Sequence, residues 1–390
     1  MDEQAEAGVA EDFGLAGVVG QADAVFGEKR DGVEKSNRPD PDLTFPVFEL
    51  ILYTAKEKII QDPQKGKGEV FMKKAICLLA ALSLGMAVLA GAAMAWERGT
   101  HAFIADKLKK AGGPYNIDEM YGAMAPDVFN YLFTMPNVAF RDYLYDQTHH
   151  QFLKVKEAVK WGYEKSSAYG FLSHNNVWGA DSTAHIASRT LLLNEGYVIT
   201  KAKMLNNWLI ANVPQYAALV SEAPAVGVDI CHNVIEAAGD IVLARNDTSV
   251  GAKLMEIALR PKPHMQNLMV RAYAQGLSDV SGSRGYFITL AQAEQLIRSE
   301  ETKFRISCIG YGYLLQQDES VILANVIAEF KQLAVLYLAL NGLPVPDEGT
   351  LNALLNVSFQ VADSLIKDDY MREIQATIAM VKRNMVKEVK

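Results

Sequence analysis

The chain is predicted to be all-α. Over much of the sequence from residue 96 onward, apolar residues recur at three- and four-residue spacing, which is the period of an amphipathic helix. Residues that cap or break helices separate these stretches, and alternating patterns of strand length are hard to find. Of the 390 residues, 50% are hydrophobic, and the net charge is −8. The chain can therefore bury a large core, and its acidic balance argues against a nucleic-acid partner held by electrostatics.

Two segments are predicted to precede the helical part. Residues 1–71 are acidic and rich in Gly and Asp, without a long periodic apolar pattern, as in disordered segments. Residues 72–95 begin with Met72-Lys73-Lys74, continue as an uncharged apolar run and end with Ala93-Met94-Ala95, which is the pattern of a signal peptide and its cleavage site. We interpret Met72 as the true start, and residues 1–71 as spurious or disordered. The alternative is a genuine extension ahead of a membrane anchor.

Five helices are predicted between residues 96 and 245. The first follows an N-cap at Thr100 and stops at Gly112-Gly113-Pro114, because Gly and Pro end helices. The others are predicted, in chain order, over Thr148–Glu164, Ser166–Leu193, Tyr197–Asn212 and Asp229–Arg245.

Four more helices are predicted in the C-terminal region, residues 250–390. They cover Leu290–Gln316, Glu319–Asn341, Thr350–Lys367 and Tyr370–Lys387. Six of the seven histidines precede this region, and only His264 lies within it. We therefore divide the exported chain into a metal-site region at 96–245 and a C-terminal helical region at 250–390, and the two can pack as one domain. Cys231 and Cys308 could form one disulfide in an exported protein.

Residues able to bind a metal are concentrated in the first region. The candidates are Trp96, His101, Asp127, His149, His150, His174, Asp181, His185, His232 and Glu236. Taken alone, each has a plain structural interpretation, such as a solvated helix face, a turn or a buried histidine. Imidazole and carboxylate groups from several helices are, however, the ligands with which helical bundles bind divalent zinc. Their combination favours a metal site.

The spacing of some candidates predicts how they are arranged. His174, Asp181 and His185 are separated by seven and four residues, which would put them on one face of a single helix. His232 and Glu236 form an i, i+4 pair on another helix, and Asp229 and Asp240 are predicted to project the same way.

Cleavage after Ala95 would create a further ligand at Trp96. The free α-amine of a chain has a pKa of about 7.7–8.0 and is nearly neutral at that pH. Together with its own carbonyl oxygen it can chelate a metal, close in sequence to His101.

This order of residues resembles the zinc-dependent phospholipase C family, whose all-α fold is shared with single-strand-specific nucleases. In that family the mature N-terminal Trp binds zinc through its amine and carbonyl, and a His, an Asp and a further series of His and carboxylate ligands follow. The segment Ala168–His174 and the context of Ala125-Pro126-Asp127 are also similar to the phospholipases. The resemblance covers about residues 96–245. It implies a multi-helix bundle of the phospholipase C type with additional C-terminal helices.

The resemblance also implies two to three zinc ions and their ligands. The three sets would be Trp96 with His101; Asp127 and His174 with one of His149 and His150; and His185 with His232 and Glu236. The family places a metal-bridging Asp four residues after its central His, where this chain has Trp178. Asp181 is the expected substitute, one turn farther along the same helix face.

The implied activity is that of an exported hydrolase, secreted or periplasmic, that cleaves phospholipid to diacylglycerol and a phosphorylated head group. Zinc lowers the pKa of a bound water to about 7, and Asp127 or Asp181 would orient the attacking water. The partner would be a phospholipid substrate or membrane surface, with no stable nucleic-acid partner. Two alternatives stay open: a single-strand nuclease on the same fold, or a catalytically inactive helical metal-binding protein of the cell envelope.

Overall fold

Helices make up all regular secondary structure of the residues that the structure describes, as the sequence predicts. The computed structural model describes residues 97–110, 116–132, 137–191, 193–260 and 262–389. The α-helices of this part are α1 (Arg98–Leu108), α2 (Asn116–Met124), α3 (Val138–His149), α4 (Leu153–Glu157), α5 (Lys165–His174), α6 (Ala180–His185), α7 (Tyr197–Asn212), α8 (Pro214–Val220), α9 (Pro224–Asn246), α10 (Val250–Leu259), α11 (Pro263–Ser281), α12 (Leu290–Leu314), α13 (Glu319–Leu340), α14 (Glu348–Ile366) and α15 (Tyr370–Glu388). Short 3₁₀ helices cover Ala125–Tyr131, Gly162–Glu164 and Gly282–Arg284.

Several sequence predictions fall outside these described residues. They are the N-terminal extension at 1–71, the signal peptide at 72–95, the zinc ligand Trp96 and the helix stop at Gly112-Gly113-Pro114.

The most periodic helices form where they are predicted. α7 has the predicted bounds, α9 contains the predicted Asp229–Arg245, and the four C-terminal helices α12 to α15 match their predicted ends to within two residues. No prediction covers α2, α8, α10 or α11. These helices, except α11, are ten residues or shorter, so each offers too few turns for a clear periodic pattern.

The first helix begins earlier than predicted. Its first residue is Arg98 and its N-cap is Glu97, so Thr100 lies inside the helix. The buried carboxylate of Asp240 on α9 accepts hydrogen bonds from the backbone amides of Gly99 and Thr100. These amides belong to the first helical turn, which has no partners within its own helix. The cap therefore comes from a residue distant in the chain.

The predicted helix over Thr148–Glu164 is wrong. α3 ends at His149, and α4 and a 3₁₀ helix follow. The backbone N–H of Asn176 donates to the carbonyl oxygen of His149 at 3.1 Å, so a tertiary hydrogen bond takes an acceptor that a longer helix would use. Farther on, the Glu164 carboxylate accepts hydrogen bonds from the backbone amides of Lys160 and Trp161, which fixes the turn before α5.

The predicted helix over Ser166–Leu193 is also wrong, because a loop divides it into α5 and α6. The side-chain oxygen of Asn175 accepts hydrogen bonds from the backbone amides of Val177 and Trp178, each at 2.8 Å. Asn side chains compete with helical backbone bonding in this way. His174 therefore lies on α5 while Asp181 and His185 lie on α6, and the predicted common helix face does not exist.

One hydrophobic core contains buried side chains from both the 96–245 and the 250–390 regions. α9 lies at its centre and packs against α1, α7, α13, α14 and α15. Cys231 and Cys308 are both buried and free, so the disulfide considered from the sequence does not form.

The last helix, α15, holds the segments that carry the candidate ligands. It packs against α1, α5 and α6. The hydroxyls of Tyr370 and Thr100 lie 2.6 Å apart, and those of Thr377 and Thr183 lie 2.8 Å apart. The C-terminal region is thus part of the scaffold of the N-terminal region.

Among the described helices, α13 is the one that is long and apolar enough to cross a membrane by length and composition. An 18-residue window of α13 has a mean hydropathy of 1.6, and 28% of this window is buried within the protein. A core helix of a soluble protein can meet the same two conditions, so they do not establish a membrane span.

Candidate metal centre

Eight of the predicted ligands gather into two neighbouring clusters. The five-residue cluster comprises His101, Asp127, His149, His174 and Asp181, and the three-residue cluster comprises His185, His232 and Glu236. Three groups within them each bring their ligand atoms to within 4.8 Å of one another, and two of these groups share His174. These buried His and carboxylate clusters could hold metal ions.

Five separate segments supply the five-residue cluster. His101 comes from α1, Asp127 from the 3₁₀ helix that follows α2, His149 and His174 from the ends of α3 and α5, and Asp181 from the first turn of α6. All five side chains are at most 1% exposed. Burial of ionisable groups at this level is costly unless they are paired or bind a metal.

The two carboxylates of this cluster each face histidines on two sides. Asp181 presents Oδ1 to His101 Nε2 at 3.2 Å and Oδ2 to His174 Nε2 at 3.0 Å. Asp127 presents Oδ2 toward His101 Nε2 at 3.9 Å, and Oδ1 toward His149 and His174 at 3.4 and 3.5 Å. Each carboxylate thus directs its two oxygens to different histidines, as a metal-binding carboxylate could.

The ring nitrogens of His149 and His174 point at each other. Their Nε2 atoms lie 3.1 Å apart. His174 Nδ1 lies 2.8 Å from the carbonyl oxygen of Ala123, and His149 Nδ1 lies 3.1 Å from that of Tyr145. Since a carbonyl can only accept, each Nδ1 carries a proton in the tautomer that these contacts favour, and in the neutral rings both Nε2 lone pairs face the same space. This is the orientation that metal-binding histidines receive from surrounding groups.

The carboxylates create a field that attracts positive charge to this space. Burial opposes the protonation of His174, but the Asp181 and Asp127 carboxylates raise the pKa of His174 to about 9. In the other direction, His174 and the neighbouring histidines outweigh burial and lower the pKa of Asp127 and, more strongly, of Asp181. A proton satisfies this field in the metal-free protein, and a divalent cation would do so in its place.

Several buried polar atoms of the clusters have no hydrogen-bond partner among the described residues. They are both ring nitrogens of His101, both carboxylate oxygens of Asp181 and Oε2 of Glu236. Each buried polar atom without a partner costs roughly 1–3 kcal/mol. Nitrogen and oxygen donors of this kind are the ligands of zinc, so the residues present fit that ion.

The three-residue cluster joins α6 to α9. His232 Nε2 lies 2.7 Å from Glu236 Oε1 and 3.3 Å from His185 Nε2. Asn176 Oδ1 lies 3.1 Å from His185 Nδ1, which favours the tautomer with the proton on Nδ1. Of the eight clustered residues, His185 alone is partly exposed, so the site borders solvent at His185.

An excess of negative charge links the two clusters. Burial, followed by the charges of Glu97, Asp127, Asp181 and Asp240, raises the pKa of Glu236 well above its ordinary value. Arg98 is buried here and pairs with Glu97 at 2.8 Å. This single pairing leaves several buried carboxylates to be balanced by histidine protons or by metal ions.

The structure distinguishes between the two adjacent histidines. His149 lies in the five-residue cluster, whereas the side chain of His150 is 44% exposed and lies 3.3 Å from Asp146. His150 is therefore not a member of either cluster. Asp181 lies between His101 and His174, but it comes from the start of α6 rather than from the next turn of the same helix. Trp178, at the family's bridging position, packs its ring against Phe152.

Two further aspartates that the sequence groups with His232 and Glu236 have other roles. Asp229 is exposed and accepts a hydrogen bond from the Tyr337 hydroxyl at 2.6 Å. Asp240 accepts bonds from the start of α1. Asn176 was not among the candidates, although it contacts both His149 and His185. Its position two residues after His174 is the only sequence signal that points to Asn176.

Comparison with known proteins adds no family: no family model, no curated protein and no solved structure matches the chain.

Proposed function

We propose that the protein is an exported zinc-dependent phosphodiesterase, a phospholipase C that releases diacylglycerol and a phosphorylated head group. The observation that carries the proposal is the bridging arrangement of Asp181 between His101 and His174, within a cluster whose members follow one another in the order of the zinc-dependent phospholipases C. That order came from the sequence alone, and the convergence of the side chains supports it independently.

The resemblance implies up to three ions: Trp96 and His101 would hold one, Asp127, His149 and His174 a second, and His185, His232 and Glu236 a third, with Asp181 shared between the first two. The structure supports the third set as it stands, and it brings the ligand atoms of His101, Asp127 and His174, and of His149, His174 and Asp181, close together. Zinc bound there would supply an activated water and polarise the phosphoryl oxygens.

The carboxylates would orient the attacking water and accept its proton. Asp127 Oδ1 accepts a hydrogen bond from Asn130 Nδ2 at 2.8 Å, which fixes the orientation of that carboxylate. The Asp181 carboxylate lies between His101 and His174, so it would stand beside the first two ions, where it would orient the attacking water and accept its proton. We propose Asp181 as the base and Asp127 as its neighbouring orienting group.

Exposed apolar side chains near the accessible edge favour a lipid substrate. Ile186 follows His185 directly and is 58% exposed, and Val177 follows Asn176 and is 60% exposed. Asn176 contacts the ring of His185, so both apolar residues directly follow residues at the partly exposed edge of the site. Apolar residues at this edge suit an acyl-bearing substrate better than a polyanionic strand.

The test is hydrolysis by the zinc-loaded protein of phosphatidylcholine vesicles and of single-stranded DNA. We expect release of diacylglycerol, and a loss on the order of 10²–10⁴-fold in Asp181→Asn, the range for removal of a general base. Asp368→Asn, an exposed aspartate, is the matched control. Cleavage of DNA alone would favour the nuclease, and a zinc-loaded protein inactive on both substrates would favour a non-catalytic envelope protein. Either result would overturn the phospholipase proposal.

A further inference from the structure

A buried carboxylate that belongs to neither cluster holds the first residues of α1. Asp240 Oδ2 accepts a hydrogen bond from the backbone N–H of Gly99 at 2.8 Å. Asp240 Oδ1 accepts from the backbone N–H of Thr100 at 2.8 Å and from its hydroxyl at 2.6 Å. The Asp240 side chain is 0% exposed. It acts as the cap of α1, supplied from the middle of α9 instead of from the residue before the helix.

The residue types at Gly99 and Thr100 permit this contact. A Cβ atom built on Gly99 would lie 2.5 Å from Asp240 Oδ2, a distance that real side chains do not adopt. Only glycine at this position allows the carboxylate to approach the backbone of α1. On its other side, the Thr100 hydroxyl is also 2.6 Å from the hydroxyl of Tyr370 on α15.

The contact joins the two halves of the candidate metal centre. Asp240 lies one turn after Glu236 on α9, so the same helix carries two ligands of the three-residue cluster and the cap of α1. Thr100 directly precedes His101, and Glu97 follows Trp96. Movement of the start of α1 would therefore shift His101 relative to the other residues of the five-residue cluster.

We infer that Asp240 is a positioning residue: it fixes the start of α1 and thereby holds His101 where it can bind an ion together with the rest of the five-residue cluster. This inference rests on the proposed zinc site. Both oxygens of Asp240 are already engaged by donors on α1, so Asp240 would act through α1 and not as a ligand.

The test compares Asp240→Asn with Asp229→Asn, an exposed aspartate on the same helix. Asn keeps the size of Asp but replaces one acceptor oxygen with an N–H₂ group, which would face a backbone donor. The zinc content of the exported, full-length mature protein is measured by native mass spectrometry, with competition by a chelator to rank the ions. We expect Asp240→Asn to bind the most weakly held ion at least tenfold less tightly while retaining the other two, and Asp229→Asn to match the wild type.

Thermal unfolding of the chelator-treated proteins separates positioning from simple stabilisation. A purely structural Asp240 would lower the melting temperature of the metal-free variant and leave zinc stoichiometry and affinity unchanged, which would overturn the inference. If Asp240→Asn does not fold, Thr100→Val removes only the hydroxyl contacts. It should still weaken the same ion selectively, and unchanged binding would again contradict the inference. A wild-type protein that binds no zinc would refute the proposed function itself, whereas equal zinc affinities in Asp240→Asn and the wild type would refute this inference alone.

Discussion

His149 Nε2 and His174 Nε2 lie 3.1 Å apart, and the second nitrogen of each ring faces a backbone carbonyl oxygen. The raised pKa of His174 favours a proton on its Nε2 at neutral pH, which can then be donated to His149 Nε2 in the metal-free protein. A divalent cation between the two rings would take the place of that proton. The carboxylates of Asp127 and Asp181 lie close to both of these Nε2 atoms and supply negative charge to the space between them.

The adjacent pair His149 and His150 offers a matched test of this arrangement. We expect His149→Gln to lower the apparent zinc affinity by more than about 100-fold, since loss of a group that merely orients a ligand already costs roughly 10–100-fold. His150→Gln should bind zinc like the wild type, because the His150 side chain points away from both clusters. Isothermal titration of the metal-free proteins with zinc measures both. Equal loss in the two variants would argue against His149 as a specific ligand.

Glu373 anchors the segment that follows the ligand His185. Its fully buried carboxylate accepts hydrogen bonds from the Ser188 hydroxyl, from the backbone amides of Arg189 and Thr190, and from the Thr190 hydroxyl, at 2.6 to 2.9 Å. In Glu373→Gln an N–H₂ group would face some of these donors. We expect a loss of about 2–3 kcal/mol in the free energy of unfolding, given the cost of unpaired buried donors.

Urea denaturation followed by circular dichroism measures this loss. Glu388→Gln, an exposed glutamate on the same helix, is the control and should unfold at the wild-type urea concentration. An unchanged midpoint for Glu373→Gln would mean that α15 does not stabilise the segment after α6.

The ionised carboxylate of Asp118 is expected to contribute to the free energy of unfolding at neutral pH, and this contribution is lost in acid. Burial tends to raise its pKa, but the His264 imidazole, 3.6 Å away, and the Lys262 ammonium, which donates a hydrogen bond at 2.8 Å, lower it from 3.8 to about 2. Because the folded-state value lies below the unfolded one, this carboxylate stabilises the protein above about pH 4, and the contribution disappears as the pH falls toward 2. Asp118→Asn should therefore cost about 1–2 kcal/mol at neutral pH, allowing for solvent at this partly exposed pair.

Unfolding of Asp118→Asn and wild type is compared from pH 6 down to pH 3. The stability difference between them should be constant in the upper part of this range and begin to shrink below pH 4. The exposed control Asp368→Asn should show no such trend. A difference between Asp118→Asn and wild type that does not change with pH would contradict the role of the Asp118 charge.

The parts of the site that depend on local periodicity were predictable from the sequence. His232 and Glu236 lie one turn apart on an uninterrupted helix, and the i, i+4 spacing is sufficient to pair them. The position of Asp181 was not predictable in the same way. The helix after His174 stops because the Asn175 side chain bonds the following backbone amides, and this competition between local hydrogen bonds leaves no periodic signal.

Tertiary contacts account for the remaining differences between the sequence predictions and the structure. Successive helix residues point about 100° apart, so the dipeptide at 149–150 offers one inward side chain, and only the packing of α3 determines which. The cap of α1 comes from Asp240 across the core, which no local rule at Thr100 can reveal. The C-terminal helices were correctly located, but their support of the ligand segments through Tyr370 and Thr377 depends on the fold as a whole.

The most direct test of the metal centre is native mass spectrometry of the wild-type protein, expressed from Met72 and recovered after export. One spectrum reports both the N-terminal residue and the bound ions. We predict a chain that begins at Trp96 and carries two or three zinc ions, all removed by a chelator. A mature chain free of metal, or one that retains residues before Trp96 and holds no zinc, would contradict a zinc centre completed by cleavage.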